Sequence, residues 1–371
     1  MVNDGARSGL GWRTRLTRKR EYDEDDVRVR PSRSSRPRTR TRPKHSDAVE
    51  GFVVAVDRGR YTCHIAGTDA VVTAMRAREL GRRGVVVGDN VQIVGDVTGR
   101  PDTLARIVRI DDRRSVLMRT ADDEEGSTEG RFERVVVANA EQLVIVNSLH
   151  DPPPRTGFID RCLVAAYDAE IEPLLCLTKG DLAGPEAVLD YYSELDLPYV
   201  LCRPGEPIDD LVAALSGKVS VMIGHSGVGK STLVNRLVPG TDRAVGVVSA
   251  VGKGRHTSTS AVALRLPESK LRLPESKRSG GWIIDTPGVR SFGLAHVSAD
   301  SLLHGFPDLV EASTRCAPNC DHTGAGGECG LDMLVAEGGA DPRRLASFRR
   351  LLASKEGTAE PTEPTDEAYE A

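Results

Sequence analysis

The apolar residues of this 371-residue chain follow two different patterns along its length. Between residues 47 and 112 they form short runs interrupted by polar residues, which is typical of strands. The predicted strands are 51–57, 60–65, 70–74, 90–94 and 103–110. Strands this short and closely spaced predict a small β-barrel of the OB type, a fold that commonly binds RNA. A barrel with a purely structural role is the alternative, because Phe52 and Tyr61 are its only aromatic residues.

Residues 113–297 instead alternate apolar runs of strand length with stretches of helical spacing. The strand-like runs are 173–177, 199–202, 219–223 and 282–284, and the helical stretches are 158–167 and 231–238. This alternation predicts an α/β domain with a mainly parallel sheet and helices on both faces. In such a sheet, phosphate sites lie at the carboxyl ends of the strands. The polar, acidic residues 111–130 are expected to be a mobile link between the barrel and this domain.

Residues 298–357 are predicted to form a third, mainly helical module. Amphipathic spacing at 298–309 and 343–352 predicts two short helices, and Arg344, Arg349 and Arg350 would be available to RNA. The same region contains Cys316, Cys320, His322 and Cys329. Three thiolates and one imidazole form the closed tetrahedral set of a structural zinc site. A disulfide is the weaker alternative, since a reducing compartment disfavours it.

Charge is unevenly distributed along the chain, with basic residues concentrated at its start and acidic residues at its end, although the net charge is only −4. Residues 1–46 contain 14 Lys or Arg and six acidic residues. They are predicted to be a disordered basic arm, which is either a solvated tail or a segment that follows RNA phosphates. Residues 358–371 are predicted to be a disordered acidic tail. No run of apolar residues is long enough to cross a membrane, and no secretion signal is evident.

The four cysteines outside the predicted metal site favour a cytoplasmic location. Cys63, Cys162, Cys176 and Cys202 are scattered through apolar surroundings, and they are predicted to be small buried side chains. A reducing cytoplasm suits such unpaired thiols best. We expect a cytoplasmic monomer that has no membrane partner.

A complete phosphate-binding loop, GxxxxGKS, follows the predicted strand 219–223. The predicted nucleotide contacts are Ile223, Gly224, His225, Ser226, Gly227, Val228, Gly229, Lys230 and Ser231. Backbone N–H groups of such a loop close around phosphate, and the lysine reaches the terminal phosphates. The hydroxyl of Ser231 would bind Mg²⁺. A strand before the loop and a helix after it make an ordinary strand-to-helix turn a poor alternative.

Two further boxes indicate that the nucleotide is GTP or GDP. The strand 282–284 leads into a DxxG box, in which Asp285 would hold Mg²⁺ through water and Gly288 would sense the γ-phosphate. The guanine-reading box of a GTPase normally follows these motifs, yet nothing downstream fits. The matching segment lies upstream and comprises Thr178, Lys179, Gly180 and Asp181. Asp181 would accept hydrogen bonds from guanine N1 and N2. This order of boxes is that of a circularly permuted GTPase.

With these motifs in this order, residues 49–352 resemble the ribosome small subunit-dependent GTPase A family, RsgA, also called YjeQ or EngC. The resemblance implies an OB-type barrel, a circularly permuted P-loop GTPase domain and a zinc-binding helical module, at 47–112, 113–297 and 298–357. It also assigns 135–139 and 142–147 to the segment that leads into the first strand of the permuted domain. Thr178 departs from the family pattern, which usually has Asn there, and the spacing of the zinc ligands also differs slightly.

The resemblance further implies the partners and the reaction. Family members bind the small (30S) ribosomal subunit and its 16S rRNA and assist its late maturation, with GTP hydrolysis driving release. Residues 252–259 are similar to the family's switch segment, in which His256 would position the attacking water because Val289 is apolar. Thr257, or else Ser258, would supply a hydroxyl to Mg²⁺, and Thr257 is preferred. A GTP-dependent RNA-binding regulator with negligible turnover is the alternative function.

One repeated segment is expected to lie on the surface. Residues 265–270 and 272–277 carry the same six-residue sequence, shifted by seven positions. Because an odd shift turns alternate side chains to the wrong face of a strand, we expect an exposed loop before Trp282.

Overall fold

The computed structural model describes residues 45–81, 84–120, 133–240, 261–267, 280–286, 294, 296–324 and 329–355. The strands within these residues are β1 Val49–Asp57, β2 Arg60–Ile65, β3 Val71–Arg76, β4 Asn90–Val94, β5 Ala105–Ile110, β6 Val116–Thr120, β7 Glu133–Ala138, β8 Gln142–Ser148, β9 Glu172–Thr178, β10 Tyr199–Cys202, β11 Val219–Ile223, β12 Val262–Arg265 and β13 Trp282–Asp285. The α-helices are α1 Thr156–Asp168, α2 Glu186–Tyr191, α3 Asp209–Leu215, α4 Lys230–Leu237, α5 Ala299–Leu302, α6 Pro307–Ser313, α7 Gly330–Ala336 and α8 Pro342–Lys355. Among them, no helix is long and apolar enough to cross a membrane.

The first five strands close into a barrel. Their order is β1-β2-β3-β5-β4, and β4 pairs again with the first half of β1, so that the barrel closes. Apolar side chains that alternate along the strands fill the interior, and Val53, Cys63, Val91, Ile93 and Ile107 are fully buried. A Cβ on Gly51 would lie 2.5 Å from the Cδ1 atom of Ile93, so a larger residue there would force this buried side chain to shift. The OB-type barrel predicted from the sequence is confirmed.

The central domain is built on five parallel strands in the order β10-β9-β8-β11-β13. Strand β8 is buried on both faces: Leu143 and Ile145 pack in one apolar cluster, while Val144 and Val146 pack in the other. A continuous apolar run is what a central parallel strand requires. Since these strands all point the same way, their carboxyl ends lie along one edge of the sheet, as predicted.

Strand β12 joins the barrel to the central sheet. It runs antiparallel to β13, and its Val262 pairs with Ala55 of β1. The rings of Phe52 and Trp282 lie 4.9 Å apart across this connection. One sheet therefore continues from the central domain into the barrel, and the described residues from His45 to Lys355 belong to a single compact unit. The sequence did not predict this strand.

Three expectations about the connecting regions are wrong, wholly or in part. Residues 116–120 do not belong to a link but form β6, because the apolar run Val116–Met118 pairs with β7. The predicted helix 298–309 is divided into α5, a 3₁₀ turn at Leu303–Gly305, and α6, which begins at Pro307. Proline has no N–H to continue a preceding helix and fits best at the first helical position. The repeated segment 265–277 does not begin in a loop, because Arg265 is the last residue of β12 and pairs with Trp282 of β13. Residues 268–277 lie outside the described residues.

The helices after β13 pack onto the central domain. Helix α8 lies against α1, and the rings of Phe306 and Phe348 meet edge to face at 5.4 Å in their shared core. The four scattered cysteines are buried, as predicted. Burial raises the pKa of Cys63 to about 12, which keeps its thiol protonated and unreactive.

Candidate nucleotide site and metal centre

The phosphate loop lies at the carboxyl end of β11, where the chain turns into α4. A Cβ on Gly224 would lie 2.5 Å from the Val146 carbonyl oxygen of β8, so the loop can pass this close only because the residue is glycine. Gly227 and Gly229 have φ values of 86° and 90°, which also favour glycine. Helix α4 begins at Lys230, and its N-terminus points its free N–H groups toward the loop. Backbone donors are thereby gathered where an anion would bind.

The side chains of the loop are divided between buried and exposed positions. Val228 is buried, whereas Ser226 and Ser231 are exposed to solvent. The ring of His225 packs against Phe158 of α1 with 4.2 Å between centroids, which holds the loop against that helix. The hydroxyl of Ser231 is therefore accessible for a metal ion, while His225 shapes the loop.

The guanine box lies on the same edge of the sheet, at the end of β9. Thr178 pairs in register with Ser148 of β8 and with Cys202 of β10. The Lys179 ammonium donates to the backbone carbonyl of Asp151, and Asp181 is exposed. The carboxylate of Asp181 is thus accessible to a base.

Arg203, for which no contact was predicted from the sequence, holds the guanine box in place. Its Nε donates to the Gly180 carbonyl oxygen at 3.1 Å. A Cβ on Gly180 would lie 2.7 Å from Leu201, so this turn is tightly packed against β10. The only sequence signal for Arg203 is its position directly after a strand end. The site therefore includes a positioning arginine from the neighbouring strand.

The DxxG box begins where β13 ends. Asp285 pairs in register with Met222 of β11, next to the phosphate loop. Its carboxylate forms an ion pair with the Lys230 ammonium, and both side chains are largely buried. The Thr286 hydroxyl donates to the Met222 carbonyl at 3.0 Å, which fixes the start of the box. The structure thus brings the lysine of the phosphate loop and the carboxylate of the DxxG box together.

Three of the predicted site residues lie outside the described residues, namely His256, Thr257 and Gly288. The other predicted nucleotide residues belong to three boxes that lie side by side, on β9, β11 and β13, with β8 between the first two. Boxes that are far apart in sequence, at 178–181, 223–231 and 285, therefore meet at one edge of the sheet. This arrangement can bind a nucleotide between a base-reading end and a phosphate-reading end.

The predicted metal ligands also converge. The ligand atoms of Cys316, Cys320, His322 and Cys329 all lie within 4.8 Å of one another. The Sγ atom of Cys316 lies 3.9 Å from the Sγ atom of Cys329 and 3.5 Å from the Nδ1 atom of His322. Zinc bonds of ordinary length in a tetrahedron would give about 3.8 Å between sulfurs and about 3.6 Å between sulfur and nitrogen. The donor set and its spacing fit zinc.

Backbone and side-chain contacts hold the ligands in this arrangement. The Gly330 N–H points at the Cys316 sulfur at 3.1 Å. Arg349 donates to the His322 carbonyl oxygen at 2.9 Å, and its two terminal nitrogens bind the Asp332 carboxylate. Burial raises the pKa of the Cys316 thiol, so metal binding would have to displace its proton.

The arginines of α8 are engaged within the chain. Arg349 binds Asp332 as described above, and Arg344 contacts Asp308 at 2.6 Å. The guanidinium of Arg350 lies 4.4 Å from the centroid of the Tyr191 ring. The expectation that these three side chains are available to RNA is wrong in the conformation described, because nearby carboxylates and rings already occupy them.

Comparison with known proteins agrees with the arrangement of the boxes. The family model described as RsgA GTPase matches residues 110–295. A protein named Small ribosomal subunit biogenesis GTPase RsgA from Pseudomonas aeruginosa is 42% identical over 229 residues, which cover 59% of this chain and 64% of the relative. A protein of the same name from Chlorobaculum parvum is 34% identical over 281 residues, covering 74% of this chain and 86% of the relative. The chain thus spans less than two thirds of the Pseudomonas protein.

Two solved structures have a similar fold. YjeQ from Thermotoga maritima matches with a TM-score of 0.58 and 25% identity, over 84% of this chain and 100% of the other. YloQ, described as a circularly permuted GTPase, matches with a TM-score of 0.57 and 21% identity, over 85% of this chain and 98% of the other. The multidomain fold class is confirmed, as is the resemblance based on the motifs. The matched segment contains all three nucleotide boxes, and the Chlorobaculum protein aligns over most of both chains, so this chain belongs to the RsgA GTPase family.

Proposed function

We propose that this protein is a GTP hydrolase that binds the small (30S) ribosomal subunit, assists its late maturation and leaves it when GTP is hydrolysed. The observation that carries the enzymatic part is the convergence of the guanine box, the phosphate loop and the DxxG box at one sheet edge. The ribosomal part is supported by the names of the relatives, which are small ribosomal subunit biogenesis GTPases.

In this proposal the two ends of the site have different tasks. The carboxylate of Asp181 reads guanine N1 and N2, which an adenine ring cannot satisfy. The N–H groups of 224–231 and the ammonium of Lys230 bind the phosphates. Since Lys230 forms an ion pair with Asp285, an incoming phosphate group would have to compete with that carboxylate for the lysine. Mg²⁺, when bound, would neutralise developing charge on the phosphates. Ser231 and Thr257 would hold it directly, and Asp285 through water.

Hydrolysis requires a water molecule in line with the γ-phosphate. Val289, which follows the DxxG box, has an apolar side chain and cannot orient water. We assign that role to His256 of the switch segment, and the Gly288 amide to sensing of the γ-phosphate. Docking on the ribosomal subunit would then bring His256 to the water, so that stimulation by the subunit is part of the proposal.

The remaining modules supply the partner contacts. The closed barrel at 47–112 would bind 16S rRNA, with the basic arm 1–46 following nearby phosphates. One zinc ion at the Cys₃His cluster would stabilise the module 298–357 against α1, since binding energy of a structural metal is also folding energy. The acidic segment 358–371 receives no role. We place the protein in the cytoplasm as a monomer.

The direct test is GTP hydrolysis by the full-length protein with and without purified small ribosomal subunits. We expect slow turnover alone and a large increase with subunits, and a matched Lys230→Ala variant should be inactive in both conditions. Negligible turnover in both conditions, with GTP-dependent binding to subunits, would instead identify a regulator. Turnover that subunits leave unchanged would contradict the ribosomal part alone.

A further inference from the structure

The two ring nitrogens of His322 face different surroundings. Its Nδ1 atom lies 3.5 Å from the Cys316 sulfur and 3.7 Å from the Cys329 sulfur, on the side of the metal ligands. Its Nε2 atom points the opposite way, to the Oδ1 atom of Asp300 at 3.4 Å. Only a neutral imidazole with its proton on Nε2 can offer a lone pair from Nδ1 to a metal ion. The tautomer of this ring is therefore decisive for metal binding.

Burial makes the acceptor for Nε2 important. His322 is only 2% exposed, and a buried N–H without a partner costs about 1–3 kcal/mol. Among the described residues, Asp300 is the recorded partner of Nε2. Its carboxylate is 85% exposed, so it covers the outer edge of the ring while remaining at the surface itself. Asp300 can thus satisfy the ring without being buried.

The position of Asp300 is fixed independently of the metal ligands. It lies in the first turn of α5, where Ser298 caps the helix through a capping box with Ser301. Leu302, at the end of this helix, is fully buried in the core shared with α1. Arg349 meanwhile holds the backbone of His322 through its carbonyl oxygen. The ring is therefore held from two sides, through its backbone and through Nε2.

We propose that Asp300 is a positioning residue of the metal centre: its carboxylate accepts the Nε2–H of His322 and so directs the Nδ1 lone pair toward the thiolates of Cys316 and Cys329. A carboxylate behind a ligating histidine also increases the basicity of the ring. The inference rests on the proposed zinc site but not on GTP hydrolysis. It further means that zinc binding fastens α5 to the segment 316–329 within the helical module.

Zinc affinity of the full-length protein tests this inference. Zinc would be removed and then returned in competition with a chromophoric chelator, for the native protein, Asp300→Ala and Asp300→Asn. The matched control is Glu311→Ala, which removes an exposed carboxylate from α6 of the same module. Loss of such a partner typically costs 10–100-fold in metal affinity, and we expect about tenfold for Asp300→Ala because water can reach this surface position. Asp300→Asn keeps an acceptor and should lose less.

Two further measurements separate positioning of the ring from general stability. The absorption bands of the Co²⁺-substituted protein should shift in Asp300→Ala and not in Glu311→Ala, since they report the ligand field of the histidine. The unfolding midpoint should fall less in the metal-free Asp300→Ala protein than in its zinc-loaded form, each compared with the native chain in the same state. Zinc affinity within twofold of the native value would overturn the inference, and so would an equal loss of stability without metal. Failure of the native protein to bind zinc would overturn the metal assignment itself, while GTP hydrolysis would remain to be judged separately.

Discussion

The Thr178 hydroxyl of the guanine box donates a 2.7 Å hydrogen bond to the backbone carbonyl of Val228 in the phosphate loop. Both residues are buried. The Asn147 carbonyl of β8 lies 3.3 Å from the same hydroxyl, but a hydroxyl has one proton, so the shorter contact is the stronger bond. The base-reading and phosphate-reading ends of the site are therefore connected directly, through a residue that departs from the usual Asn of this box.

Thr178→Val tests this connection. Valine has nearly the same shape but cannot donate, so the Val228 carbonyl would be left buried without its partner, which costs about 1–3 kcal/mol. Part of this cost should appear as weaker nucleotide binding, and we expect GDP affinity to fall by about three- to tenfold. Dissociation of a fluorescent GDP analogue measures it.

Two other substitutions at Thr178 serve as controls. Thr178→Ser keeps the hydroxyl and should bind GDP nearly as the native protein does. Thr178→Asn restores the usual residue, whose amide can donate to the same carbonyl and also face the base, so binding should be equal or tighter. A Thr178→Val protein with native affinity would show that the hydrogen bond does not support the site.

A second prediction concerns the choice of base. The Asp181 carboxylate is exposed at the end of β9, where it can accept from guanine N1 and N2. Asp181→Asn replaces one acceptor by a donor, so GTP should bind at least tenfold more weakly, since a well-placed pair to a charged group is worth about 1.5–3 kcal/mol. Xanthosine triphosphate, which has an oxygen where guanine has an amine, should then bind better than GTP. Unchanged GTP affinity would remove Asp181 from the site.

The nucleotide boxes could be predicted from sequence because each is local. The motif of a glycine-rich phosphate loop is contained in eight consecutive residues, here Gly224–Ser231, so its conformation can be predicted from local sequence alone. The metal ligands are also close in sequence, so their donor types and spacing were sufficient. Alternation of apolar and polar residues likewise predicted the barrel strands, with errors of one or two residues at the ends of β1, β3 and β5.

What could not be predicted depends on contacts between distant segments. The pairing of Ala55 with Val262 joins residues that no local pattern relates, and β12 is only four residues long. Whether the arginines of α8 are available to RNA or paired within the chain depends on which carboxylates lie next to them in the folded protein. Arg203 was missed for the same reason, since its bond to Gly180 exists only once β10 lies beside β9.

A third prediction concerns the contact between α8 and the central domain. Arg350 lies 3.5 Å from the carboxylate of Asp160, which also accepts a 3.0 Å bond from the Tyr192 hydroxyl. Removing one partner of a buried ion pair costs about 3–5 kcal/mol, but Arg350 is 26% exposed, so water would compensate in part. We therefore expect Arg350→Ala to lower the free energy of unfolding by about 1–3 kcal/mol at neutral pH.

The pH dependence of this loss has a definite sign. Burial raises the pKa of Asp160 above its ordinary value, and removal of the guanidinium would raise it further. A raised pKa in the folded state means that stability is lost as the pH rises through it and is regained as the pH falls. The deficit of Arg350→Ala should therefore shrink as the pH is lowered from neutral toward the ordinary pKa of a carboxyl group, as measured by urea unfolding. Adding Asp160→Asn to that variant should abolish the dependence, and a deficit independent of pH would show that Asp160 is not the group left unpaired.

A fourth prediction concerns the metal. Cys320→Ser removes one of four ligands, so the protein should lose stoichiometric zinc and the helices after β13 should unfold at a lower temperature. Elemental analysis and thermal unfolding measure the two effects. Cys63→Ala, which changes a buried thiol of the barrel, should retain zinc. Guanine nucleotide binding should persist in Cys320→Ser, because the three boxes lie on strands of the central sheet. Native protein without zinc would refute the metal assignment.

The last prediction separates binding from turnover. The switch segment at 252–259 and Val289 lie outside the described residues. A valine beside the DxxG box leaves the attacking water unplaced, and His256 is the residue that the family resemblance assigns to it. If His256 reaches the water only on the ribosomal subunit, its contribution is made mainly in the transition state. His256→Ala should then bind GTP and the subunit as the native protein does.

Stimulated hydrolysis by His256→Ala should fall by about 10²–10⁴-fold, the range of a lost general base or of a comparable water-positioning group. Because release requires hydrolysis in the proposed cycle, the complex of this variant with subunits should persist in GTP. Single-turnover hydrolysis on purified subunits, with cosedimentation of the protein, measures both. Lys230→Ala is the contrasting variant, since its lost ammonium should abolish nucleotide binding before any chemistry. If subunits stimulate His256→Ala as strongly as the native protein, ribosomal RNA or backbone groups must position the water, and the role of His256 is refuted.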